Sequence, residues 1–149
     1  MGRGLPHANS FRELLVYRKT RKLAKDIFVL SKQFPTEEMY SLTDQMRRSS
    51  RSIGGQIAEA WARRRYERHF ISKLTDADGE QLETQHWIGV AFDCRYWDRP
   101  TAEPLKSQCE EIGRLLNGMI EKSDSFCTQN SRTLRDAAAD YFVNDITDH

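Results

Sequence analysis

A chain of 149 residues, 30% charged and 38% hydrophobic, with four Pro and eight Gly, holds enough material for one domain with a real core, and points to helices with solvated faces rather than to a sandwich or barrel. Its formal net charge of +1 hides a gradient: residues 1–73 carry 16 Lys and Arg against 7 Asp and Glu, and residues 74–149 carry 7 against 15. The longest apolar run, Ile88–Phe92, is too short to cross a bilayer, Met1–Pro6 shows no signal-peptide core or acylation motif, and three scattered cysteines (Cys94, Cys109, Cys127) argue against a disulfide framework and for a reducing compartment, so the expected location is the cytoplasm.

The first expected helix opens on a capping box, Ser10-x-x-Glu13, in which each side chain satisfies a free backbone N–H of the other residue's end. Val16, Leu23, Ile27, Leu30 and Phe34 then recur at helical spacing, and Pro35 stops the run. A second helix is expected from Ser41, with Ser41-x-x-Asp44 as a weaker capping box. Leu42, Met46, Ser49, Ile53, Ile57, Ala60 and Trp61 form its inward stripe, and the helix ends in Ala62-Arg63-Arg64-Arg65. Gly54-Gly55 inside it costs about 1 kcal/mol per residue relative to Ala, which reads as a kink or a close helix crossing. A third helix spans roughly Tyr66 to Cys94, with Phe70, Leu74, Ala77, Gln81, Gln85, Ile88 and Phe92 as its stripe. Thr101 is expected to cap a fourth helix, in which Leu105, Cys109, Ile112, Leu116 and Met119 make a heptad-like seam. The pattern lapses near Ser123. Leu134, Ala138, Tyr141 and Phe142, with Thr133-x-x-Asp136 as cap, read either as a short fifth helix docked on self or partner, or as a frayed tail. The expected fold is all-α: an up-down-up-down antiparallel four-helix bundle over 10–126, between an N-terminal tail (1–9) and a C-terminal linker and tail or short helix (127–149).

No phosphate loop, nucleophile elbow or zinc-helix motif is present. Glu83-x-x-His86 has the spacing of a bundle metal site but lacks the second copy, and Asp76-x-Asp78-Gly79-Glu80 lacks the remaining ligands of a calcium loop, so neither a metal nor a cofactor is expected. Arg64-x4-His69 resembles the Arg-His pair of HEPN ribonucleases. The stronger signal is basic. Arg47, Arg48 and Arg51 lie along one side of the second helix, Arg63, Arg64, Arg65 and Arg68 surround its end, and Arg18, Lys19, Arg21, Lys22 and Lys25 stud the first. Arginine forks suit phosphate; Trp61 and Tyr66 lie among them, Trp61 fitting core packing better than base stacking. The charge gradient leaves two readings: a basic half facing a polyanion, or two halves paired within one subunit or between neighbours. Gln56, Glu59, Glu83 and Gln85 fall at positions approaching the interior and are expected to form a buried polar network, with an arginine such as Arg48 pairing at least one of them.

Several words recur together: Leu14-Leu15-Val16-Tyr17-Arg18-Lys19; Phe34-Pro35-x-Glu37-Glu38-x-Tyr40-x-Leu42; Gln45-Met46-Arg47-Arg48-Ser49; Gln56-Ile57-Ala58-Glu59-Ala60-Trp61; Phe70-Ile71-Ser72-Lys73-Leu74; and Glu111-Ile112-Gly113-Arg114-Leu115-Leu116. From about Phe11 to Phe126 this string resembles the four-helix-bundle family named for proteins encoded in 23S rRNA intervening sequences. Gln56 departs from the family's usual Asn. The resemblance implies a bacterial left-handed bundle that assembles as a ring, typically a homopentamer, with no established catalysis. It also implies a distant kinship with the accessory variability protein of diversity-generating retroelements, which binds nucleic acid and a reverse transcriptase. The function expected is therefore a non-enzymatic oligomer that binds RNA or another nucleic acid through Arg47, Arg48, Arg51, Arg63, Arg64, Arg65 and Arg68. A purely structural ring protein and a HEPN-like ribonuclease are the alternatives.

Overall fold

The computed structural model describes residues 10–127 and 138–143. Four long helices follow in order: α1 (Leu15–Leu30), α2 (Leu42–Ala62), α3 (Glu67–Asp93) and α4 (Arg99–Glu121), then a five-residue α5 (Ser123–Cys127). Their pairings fix the topology. Tyr17 and Thr20 lie against Gly54 while Phe28 lies against Arg47, so α1 and α2 run antiparallel. Ser49 meets Thr84 and Glu59 meets Lys73 across α2 and α3. Gln81 lies under Gly113 on α4, and Lys19 and Asp26 on α1 reach Glu111 and Gln108 on α4. Each helix therefore packs on both neighbours around one apolar core, in an antiparallel four-helix bundle.

The stripes of α2 and α4 are buried as expected, including Met46, Ile53, Ile57, Cys109, Ile112, Leu116 and Met119. On α3 the buried line runs through Gln81, Thr84, Ile88 and Ala91, so Gln85 is half-buried and Phe92 exposed. Thr84 rather than Gln85 lies against α2, where its Oγ1 is 3.0 Å from Ser49 Oγ.

Several boundaries differ from expectation, each for a local reason. The Ser10–Glu13 capping box forms, but it caps a 3-10 turn, Phe11–Glu13. Leu14 is extended because it makes an antiparallel bridge with Phe142, and Val143 N–H donates to Glu13 O at 2.9 Å; α1 starts only after it. The other end of α1 stops at Leu30, followed by a 3-10 turn to Gln33 before Pro35. Trp97 takes the Leu30 carbonyl (Nε1–O 3.1 Å) and packs on Phe34. Ser41 makes no capping bond; Glu38 Oε1 accepts the Leu42 N–H instead. Asp98, not Thr101, caps α4, accepting the Thr101 N–H at 3.0 Å. The lapse near Ser123 is α5, whose Phe126 is buried and stacks on Phe70. Thr133, Leu134 and Asp136 lie outside the described residues. Ala139–Tyr141 forms a 3-10 turn, and Phe142 docks on this subunit's own Trp61 and Phe126. Among the described residues no helix is long and apolar enough to cross a membrane.

Candidate nucleic-acid interface

The helices sort charge onto opposite faces. α1 and α2 together carry eight Lys and Arg against three Asp and Glu; α3 and α4 carry five against ten. Three of the ion pairs formed by described residues join α1 and α2 to α3 and α4: Lys19 to Glu111 at 3.1 Å, Arg48 Nη2 to Glu83 Oε2 at 3.3 Å and, with the signs reversed, Lys73 to Glu59 at 3.1 Å. Pairing within the subunit therefore neutralises little of the gradient.

The seven arginines singled out by the sequence fall into four settings. At the α2–α3 turn Arg63, Arg65 and Arg68 are exposed, and their side chains make no hydrogen bond or ion pair among the described residues. Between them Arg64 is different. Its guanidinium lies 3.6 Å from the Trp61 ring centroid, and its Nε donates to Trp61 O at 3.0 Å. Burial pulls it below the ordinary arginine value. Arg64 holds the end of α2 over Trp61, which is buried in the core as its packing suggested. Arg48 is tied to Gln45 and Glu83. Arg47 and Arg51 belong with α1: their guanidinium carbons lie 4.7 and 5.6 Å from the Phe28 ring centroid, and Arg47 also donates to Ser31 Oγ at 2.9 Å.

The four residues expected as one buried polar network do not form one. Glu59 is exposed and pairs with Lys73 at 3.1 Å. Glu83 lies at the rim, accepting from Arg48 and from Trp87 Nε1. Gln85 donates to Gln81 Oε1, and Gln81 donates to Asp78 Oδ1, in a ladder on the α4-facing flank of α3. Gln56 Oε1 is buried without a partner among the described residues. The antiparallel register sends these side chains to different flanks, and the polar contact in the core is Ser49–Thr84. The Arg48–Glu83 pair does form.

The weaker motifs are also dispersed. His86 is exposed and packs on the edge of Trp87, while Glu83 turns to Arg48 and Trp87. No three His, Cys, Asp or Glu side chains converge on one point among the described residues. His69 is exposed beside the Tyr66 ring, and Arg64 is turned onto Trp61.

One feature was not legible in the one-dimensional pattern. α1 and α2 enclose a surface groove of about 870 Å³. Its floor is small: Thr20, Ala24, Ser50, Gly54, Gly55 and Ala58. A Cβ at Gly54 would lie 3.2 Å from Thr20 Oγ1, so this glycine is where the two helices approach closely; a Cβ at Gly55 would meet nothing within 4 Å. The signal that was available is the i, i+4 pair Arg47 and Arg51 beside the i, i+3, i+7 set Lys25, Phe28 and Lys32. It is readable only once the register between the two helices is known.

With this geometry in hand, comparison with known proteins is decisive for the family. The model of the 23S rRNA-intervening sequence protein family matches residues 12–118. The chain belongs to that family. A solved structure of a protein with unknown function from the S23 ribosomal protein family of Bacteroides thetaiotaomicron is 31% identical, with a TM-score of 0.65 over 71% of this chain and 98% of that one. No curated protein matches the chain. The matched span includes the α2–α3 turn and all of the α1–α2 groove except Phe11, so both cationic regions lie almost wholly within what the family model recognises.

Proposed function

We propose that this 23S rRNA-intervening sequence protein is a non-enzymatic cytoplasmic bundle that forms a ring, most simply a pentamer, and binds RNA or another nucleic acid through its arginine-rich side as an accessory to an RNA-directed process. The observation that carries the reading is uncompensated charge: Arg63, Arg65 and Arg68 project from one turn without an acidic partner among the described residues. Exposed, weakly hydrated guanidinium forks are suited to phosphate oxygens, and a cluster of them raises the local concentration of a polyanion. The family's name supplies the RNA setting.

The test replaces Arg63, Arg65 and Arg68 together by Gln. Arg64 is left in place, because it closes the end of α2 over Trp61. Filter retention of labelled RNA at about 50 mM salt, where electrostatic binding is strong, is expected for the parent protein and should be weakened in the variant at unchanged assembly mass. Equal retention by both proteins would exclude the turn as the site.

The assembly-only reading has its own support in the opposed basic and acidic faces, because a head-to-tail ring needs two different complementary patches. It is favoured if parent protein that forms the ring retains no nucleic acid.

A further inference from the structure

The geometry points to the α1–α2 groove as a binding site for single-stranded nucleic acid, with the cations gathered around Phe28 holding a phosphodiester. This deepens the nucleic-acid reading above and rests on it. Three cations surround one ring: Lys32 Nζ lies 4.8 Å from the Phe28 centroid, and the guanidinium carbons of Arg47 and Arg51 lie 4.7 and 5.6 Å away. None of the three forms an ion pair among the described residues. Asp44 shares the cleft on the other flank of α2 with Arg47 and Arg51 and makes no ion pair there. Like charges held this close repel one another. The ring face offsets part of that cost and fixes where the cations sit, but an anion between them would offset more.

The groove continues the site along α1. Lys25, Lys22 and Arg21 line it, with no carboxylate among its lining residues. Arg21 is fixed by its bond to Tyr17 Oη at 2.9 Å, and Lys22 by Asp26 at 2.7 Å; Lys25 makes no ion pair among the described residues. Positive charge therefore lines the groove from Arg21 to Lys25 and Arg51, and Arg47 and Lys32 extend it past the groove's Phe28 end. The floor at Gly55 and Ala58 is low and open, and both are on α2. A single sugar-phosphate strand can lay one backbone along such a floor, whereas a duplex presents a broader, stiffer surface to it. The volume, about 870 Å³, is at the upper end of ligand clefts and fits a short stretch of strand rather than one small anion.

Gly55 supplies the test, because filling the floor there changes no charge. Binding of a labelled single-stranded oligouridylate is measured for the parent, Gly55→Phe, and the double variant Lys25→Gln/Arg51→Gln, beside an RNA hairpin stem and with assembly mass followed by light scattering. The expected result is at least a tenfold loss of oligouridylate binding in Gly55→Phe at unchanged mass and helicity, with a smaller loss for the stem. The double variant should lower the salt slope for the single strand by up to about 1.4 units, near 0.7 per phosphate contact. Oligouridylate binding undiminished in Gly55→Phe, with the Arg63/Arg65/Arg68 variant defective, would overturn the groove and leave the nucleic-acid reading standing. A changed assembly mass in Gly55→Phe would assign the groove to subunit contact and overturn it as well. If Gly55→Phe does not fold, the double variant decides alone: an unchanged salt slope overturns the proposal. No binding by the parent would remove this site together with the reading it rests on.

Discussion

Glu59 and Lys73 face each other at 3.1 Å with the carboxylate half in solvent. A pair so placed contributes about 0–1 kcal/mol, so Glu59→Ala should lower stability by no more than that in a denaturant titration. A loss of about 3 kcal/mol would instead mean a buried charge left unpaired. Gly55 gives the opposite sign. It is helical and open to a Cβ, so Gly55→Ala should stabilise by roughly 0.5–1 kcal/mol, and a destabilised variant would contradict the open floor. The buried thiols contribute to the alkaline limit. Burial pushes Cys109 from 9.0 up to about 12, and burial with the nearby Glu67 pushes Cys127 up to about 11. Each folded value lies above the unfolded one. The stabilisation is therefore complete below about pH 9 and is lost as pH rises towards 12. Melting temperature should fall over that window, and less steeply in Cys109→Ala. A flat profile through pH 12 would contradict the burial of Cys109. What was legible at this scale was identity and spacing, such as the core character of Trp61. Which flank Glu59 or Gln85 occupies was not, because one residue of helical phase is about 100° and only the neighbour's register sets it.

The four helices were legible because their punctuation is local: Pro35 and the apolar stripes of α2 and α4. The bridge at Leu14 was not, since its partner Phe142 comes from the other end of the chain. Nor was the clamp at the opposite end of the bundle, where Trp97 bonds Leu30 O and Tyr96 bonds Glu38 at 2.8 Å. Both tie elements through contacts that no window of sequence contains. Phe142 packs on Trp61 and Phe126, so Phe142→Ala should cost about 3–5 kcal/mol in the same titration. A cost under about 1 kcal/mol would mean that the terminal segment does not brace the bundle. The α1–α2 groove belongs to this scale too. The cations were visible singly, but their gathering on Phe28 follows from an antiparallel register that sequence alone leaves open.

On the scale of the whole molecule, two opposed faces of opposite charge and an unneutralised cationic turn follow from how the helices are ordered around the core. The charge gradient in the sequence survives folding because only Lys19 and Arg48 are paired across it among the described residues. Head-to-tail contact between such faces should weaken with salt. Light scattering should report a mass several times 17.4 kDa in low salt, and a monodisperse monomer across a concentration series would exclude the ring. The most direct measurement is the salt dependence of RNA binding by the parent protein and by the Arg63→Gln/Arg65→Gln/Arg68→Gln variant. Each phosphate contact releases counterions, so the parent's log affinity should fall steeply with log salt, and the variant's slope should be shallower by up to about 2 units on single strands. The contradicting result is no retention of RNA or DNA by the parent at about 50 mM salt, or a slope the three substitutions leave unchanged.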